Sequence, residues 1–148
     1  MFKKVLVLLA ALAALFCLIG CGSTQGASND KTTQVAAATL PESFNGKWHQ
    51  TKGMDGIVMD AVVTGESIQI NMTFTKNDTT GVFWMGSFDS AQATSGLMYS
   101  LGDQDAMKNM IFASNETTKT FNYKDGDLSF GFSIMGAKTT VHLSRGAK

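Results

Sequence analysis

Proline is nearly missing from this chain, with Pro41 alone among 148 residues, and cysteine occurs only at Cys17 and Cys21. With Cys17 inside an apolar run that is expected to be removed, no pair of thiols remains for a disulfide or a zinc site. Basic excess is lacking too: twelve Lys plus Arg balance twelve Asp plus Glu, so the chain supplies no basic face of the kind nucleic acid requires. The apolar run at 5–19 rises about 22 Å as a helix, short of the roughly 30 Å hydrocarbon layer, which disfavours a permanent transmembrane anchor. A Gly-x-Ser-x-Gly elbow, a Cys/His pair and a phosphate-binding loop are all missing, and the carboxylates fall mostly in turns. The expectation is therefore a protein that is not an enzyme, with no catalytic residue, no metal and no cofactor. A cell-envelope enzyme is the minority alternative, and it would need two carboxylates facing each other in a cleft.

The amino terminus carries the strongest signal. Lys3 and Lys4 are followed by the uncharged apolar run 5–19 and then by small residues, the three parts of an export signal. An ordinary cleaved secretory signal with a chance cysteine is the blander reading. The four residues Leu18-Ile19-Gly20-Cys21, however, closely resemble the lipobox of bacterial lipoproteins. That resemblance implies a diacylglyceryl group on the Cys21 thiol, cleavage between Gly20 and Cys21, and a new amino terminus open to acylation. The chemistry suits the residues, because a thiol is a strong nucleophile near neutral pH and a small Gly20 leaves the backbone accessible. Stable anchoring takes two or more acyl chains at about 0.8 kcal/mol per buried methylene. The implied location is the outer face of the bacterial cytoplasmic membrane, or the outer membrane in a bacterium with two. Gly22 follows the cysteine where some two-membrane bacteria use Asp for inner-membrane retention.

Three parts follow: a signal peptide at 1–20, a lipidated cysteine with a tether at 21–40, and one domain at 41–148. The mature part keeps ten Lys plus Arg against twelve Asp plus Glu, a formal charge of −2. Residues 22–40 are small and polar, with little to bury, and as a flexible coil they span about 24 Å.

Within the domain, Gly, Thr, Ser, Asn and Asp punctuate short apolar stretches, the texture of an all-β chain. Ile68, Ile70, Met72 and Phe74 alternate with polar neighbours, as do Leu128, Phe130, Phe132 and Ile134, which is the period of a half-buried strand. Asp125-Gly126 is a two-residue hairpin signal joining 121–124 to the second of these. Further turns at 64–66, 76–79 and 136–137 separate strands at 56–63, 67–75, 82–88 and 138–144, and strands at 46–51 and 95–101 complete about eight. Ala106, Met107, Met110 and Ile111 share a helical face after Asp103 or Asp105 as N-cap, which predicts one short helix within 103–113, with a strand at 110–113 as the alternative.

The expected fold class is mainly β, about eight antiparallel strands in a small barrel, with a β-sandwich as the alternative; both protect strand edges. Phe44-Asn45-Gly46-Lys47-Trp48 resembles the Gly-x-Trp signature of lipocalins and related small barrels. In that family the glycine allows a tight turn into the first strand and the tryptophan plugs the closed end, roles the resemblance implies for Gly46 and Trp48. Trp84-Met85-Gly86-Ser87 and the stretch 124–130 are similar to small lipoproteins encoded by phages and prophages of Gram-positive bacteria.

His49 and His142 fall in the first and last strands, where surface or hydrogen-bonding roles are commoner than metal ligation. Asp103-Gln104-Asp105 and Asp125-Gly126-Asp127 stop short of a calcium loop, and capping and hairpin formation already explain them. Eight methionines beyond Met1 fit a small core first and an adaptable apolar surface second. Both faces of 82–88 are apolar, so Phe83, Trp84 and Phe88, with Tyr99, belong either to the core or to an exposed aromatic patch, and with Met85 they are the candidate surface for an apolar ligand or a partner. The functional expectation is a membrane-anchored binding module. Its alternatives are a lipocalin-like carrier of a small apolar ligand and a phage-type exclusion or inhibitor protein that binds an envelope protein.

Overall fold

Alternating apolar and polar side chains organise eight segments, and each is a strand in the computed structural model, which describes residues 40, 44–90, 93–94 and 96–146. The expected leader, the lipobox-like residues 18–21 and the expected tether through residue 39 lie outside the described residues. The elements are β1 (Gly46–Lys52), β2 (Ile57–Thr64), β3 (Ser67–Phe74), β4 (Thr79–Phe88), β5 (Leu97–Gly102), α1 (Gln104–Met107), β6 (Thr118–Lys124), β7 (Asp127–Ile134) and β8 (Ala137–Ser144). Each strand pairs antiparallel with the next and β8 returns to β1, so the sheet closes into an eight-stranded barrel rather than a sandwich. Closure leaves no free sheet edge to template aggregation.

Turn chemistry sets the registers. Asp125 and Gly126 take φ of 51° and 84°, and Met135 and Gly136 take 51° and 83°, the left-handed pair of a tight two-residue hairpin. The second reversal therefore falls one residue earlier than glycine position alone suggests, and it leaves the Met135 side chain wholly in solvent.

The two apolar faces of β4 have a specific cause. Ile70 pairs with Trp84 and the next residue, Asn71, with Val82, so Phe83 is an extra residue opposite the β3 ladder. Such a bulge resets the in-and-out alternation, and Phe83 and Trp84 both turn inward at 6% and 0% exposure. Met85 is left on the outside, half-buried, with its backbone N–H 3.1 Å from the Met107 sulfur.

At one end Phe44, Trp48, Phe88 and Tyr123 stack edge to face and fill the barrel. A middle layer includes Met59, Ile70, Trp84, Phe121 and Phe130, all buried. The opposite end is bounded by the connections β1–β2, β3–β4, β5–β6 and β7–β8. β5 meets β4 only at Gly86–Phe88. Below that point the long β5–β6 connection takes over from β5 in pairing with β4, the Asp103 and Ser114 amides donating to the Met85 and Phe83 carbonyls, each at 2.8 Å.

α1 is shorter than the sequence spacing suggests. Asp103 caps it, accepting from the Ala106 amide at 2.9 Å, but the helix stops at Met107 and continues as single turns to Ala113. Tertiary packing overrides helical periodicity here, because Phe112 is drawn against Phe74 with ring centroids 5.1 Å apart. Gly81 leaves room for that ring: a Cβ there would lie 2.4 Å from it. The alternative strand at 110–113 does not form.

Gly86 is held by a closer constraint, since a Cβ at this position would stand 2.3 Å from the Leu101 carbonyl oxygen. Gly86→Ala is expected to push β5 away from β4 and cost about 1–3 kcal/mol, read as a fall in the urea midpoint at unchanged slope. Both partners of every ladder and every buried core residue described lie within 44–144, with Leu40 packed against that core.

Candidate functional site

β6 begins at Thr118, three residues before the start expected from the apolar pattern. Strand alternation then places Lys119, Phe121 and Tyr123 on the inner face, and Lys119 sits opposite the fully buried Ser100 of β5. The Lys119 side chain is only 4% exposed. Its ammonium donates to the Glu116 carboxylate and lies over three aromatic rings, with centroids at 5.0 Å for Phe83, 5.2 Å for Trp84 and 5.9 Å for Phe130. Distances below about 6 Å are within the attractive range of a cation over a π face.

The counter-ion is placed differently. Glu116 is 55% exposed at the barrel rim, where its carboxylate also accepts from the Ser114 hydroxyl at 3.2 Å. Its backbone carbonyl accepts from the Gln104 amide side chain at 2.8 Å, so the β5–β6 connection is pinned on both sides of this residue. The cation is thus fixed inside the barrel while its carboxylate partner stands in the mouth.

Above Lys119 a cup of about 700 Å³ opens to solvent. Met72, Phe83, Phe112, Phe132 and Ile134 give it apolar walls, and Lys138 adds a second positive group to its lining. Ile111, also part of the lining, and Met135 beside it in sequence to Ile134 project almost wholly into water. Ser114, Asn115, Glu116, Ser133 and Thr139 complete the lining, so apolar and polar groups share the cup.

The sequence-derived candidates are dispersed by the fold. Trp84 is in the core, its indole N–H donating to the Ser100 hydroxyl at 3.1 Å, and Phe88 packs between Phe44 and Phe121 near the closed end. Met85 lines a separate groove on the outer wall, and Tyr99 is half-buried on β5. Of the five, only Phe83 lines the cup, so they do not form a single aromatic surface. Closure of the barrel carries Phe83, Trp84 and Phe88 inward, which composition alone could not reveal.

Gly46 and Trp48 lie at the closed end. Gly46 has φ of 131°, a conformation that L side chains avoid, and Trp48 is fully buried with its indole N–H on the Phe44 carbonyl at 3.1 Å. The Arg145 guanidinium covers the Trp48 ring at 5.9 Å.

Each histidine is paired with its own aspartate on the outer wall: His49 with Asp60 at 2.7 Å and His142 with Asp127 at 2.8 Å. Among the described residues, no three His, Cys, Asp or Glu side chains converge to hold a metal.

Lys119 and Glu116 were not among the residues singled out by sequence. The available signal was parity: Lys119 is two residues before Phe121 and four before Tyr123, so any strand that buries the aromatics buries the lysine. Comparison with protein-family models, curated proteins and solved structures finds no match.

Proposed function

We propose that this protein is a binding module held at the outer face of a bacterial membrane through lipid on Cys21, and that it binds a small, largely apolar molecule in the open end of its barrel without transforming it. The observation carrying the reading is the cup of about 700 Å³, in which Met72, Phe83, Phe112, Phe132 and Ile134 stand among polar groups over a buried lysine. Binding to an envelope protein, the role suggested by the likeness to phage lipoproteins, is the second reading; an exposed aromatic face would favour it, and Phe83, Trp84 and Phe88 are buried.

The binding claim is tested with the neutral fluorophore N-phenyl-1-naphthylamine. Its emission should rise saturably at one probe per chain. Ala113→Trp, which fills the cup from its lining, should abolish the rise. A signal that does not saturate, or survives Ala113→Trp undiminished, would place the probe elsewhere and remove the reading.

The anchoring claim has a separate test. Intact-mass measurement of the expressed protein should show residues 1–20 lost and acyl mass added. Cys21→Ala should leave the precursor unprocessed or release it from the membrane. Unchanged processing and retention in Cys21→Ala would rule out a lipid on this residue.

A further inference from the structure

The Lys119–Glu116 pair is asymmetric in a way that a purely structural ion pair does not require. The lysine side chain is 4% exposed and held at the floor of the cup, whereas the glutamate side chain is 55% exposed and can rotate outward into solvent. A buried cation still needs an anion, because leaving it uncompensated is strongly unfavourable. The position facing Lys119 is therefore a carboxylate place that Glu116 fills from the rim and a second carboxylate could fill from the cup.

We propose that the ligand is a single-chain amphiphile with a carboxylate head. Its head replaces Glu116 on the Lys119 ammonium, and its chain lies along Phe83, Phe112 and Phe132. This rests on the small-molecule reading above and specifies its chemistry. The exchange conserves the buried ion pair, so the cation is never stranded, and the released Glu116 side chain becomes hydrated. A neutral apolar chain would leave Glu116 in the mouth and gain no charged hydrogen bond. A cationic head would meet Lys119, with Lys138 adding to the repulsion. Exposed Ile111 and Met135 beside the opening give the far end of the chain an apolar edge to follow.

The soluble chain starting at residue 22 suits the test, since the barrel contains its own core. It is titrated at pH 7.5 with decanoate, decan-1-ol and decyltrimethylammonium below their micelle-forming concentrations, by calorimetry and by tryptophan emission, because the Trp84 ring lies 5.2 Å from the Lys119 ammonium. Decanoate should bind one per chain and about three- to tenfold tighter than decan-1-ol; because one carboxylate replaces another on Lys119, the preference is smaller than a whole charged hydrogen bond. Lys119→Met should erase that preference while decan-1-ol still binds. Glu116→Gln removes the competing carboxylate and should tighten decanoate by about three- to tenfold.

Equal binding of all three decyl compounds, with no effect of Lys119→Met, would overturn the carboxylate exchange and leave the small-molecule function standing. Loss of decanoate binding in Glu116→Gln would make Glu116 part of the site rather than its competitor, and would also overturn the exchange. Failure of all three compounds and of the neutral fluorophore to bind would overturn the functional reading itself.

Discussion

Trp84→Ala is expected to remove about 3–5 kcal/mol of stability, the range for truncating a large buried aromatic. The indole is fully buried, donates to the fully buried Ser100 hydroxyl at 3.1 Å, and supports the Lys119 ammonium from below. Its surroundings cannot readily collapse. Gly86 and Gly102 already press against it so closely that a Cβ on either would fall 3.0 Å or less from an indole atom. A domain of this size has about 5–15 kcal/mol in total, so the variant should approach its unfolding midpoint near physiological temperature. Urea denaturation of both chains checks this. Trp84→Phe separates packing from hydrogen bonding: it keeps an aromatic ring and leaves Ser100 without its donor, for an expected loss of about 1–3 kcal/mol. A loss under about 1 kcal/mol in Trp84→Ala would mean that this layer of the core is not packed as described.

Local pattern made much of the fold legible. β3 and β7 could be read because each alternates apolar and polar residues, and Asp125-Gly126 located the hairpin from β6 into β7 without any tertiary information. β6 was harder. Its inward row opens with Lys119, and a charged side chain at an apolar position breaks the hydrophobic alternation where the strand begins. The same break is the mark of the site. In β4 the sequence showed that both faces were apolar, but not that a bulge at Phe83 sends consecutive aromatics into one interior. α1 failed for another reason: the spacing from Ala106 to Ile111 suits a helix, yet the contact of Phe112 with Phe74 across the barrel end ends it early. In each case the missing information was long-range. Only closure of β8 onto β1 determines which side of a strand is inside, and hence why the aromatic candidates disperse while Lys119 and Glu116 meet.

Glu116→Gln and Lys119→Met should have opposite consequences, although they break the same ion pair. Removing the carboxylate leaves a cation that is 4% exposed with only π faces around it, and the expected cost is about 1–3 kcal/mol. That is less than the loss expected at a fully enclosed pair, because water in the cup can approach the ammonium. Removing the cation instead leaves Glu116 at the rim, 55% exposed and free to hydrate, while methionine fills nearly the same volume against Phe83, Trp84 and Phe130. Lys119→Met should therefore lie within about 1 kcal/mol of the parent or exceed it, as apolar replacements of buried ion pairs often do. The double variant should recover most of what Glu116→Gln loses, since no cation is then stranded, and urea unfolding of all four chains gives the coupling directly. If Lys119→Met loses more than about 3 kcal/mol, the pair is a staple holding the β5–β6 connection to the barrel. If it loses nothing, folding does not require the lysine, which is the outcome that the proposed ligand role needs.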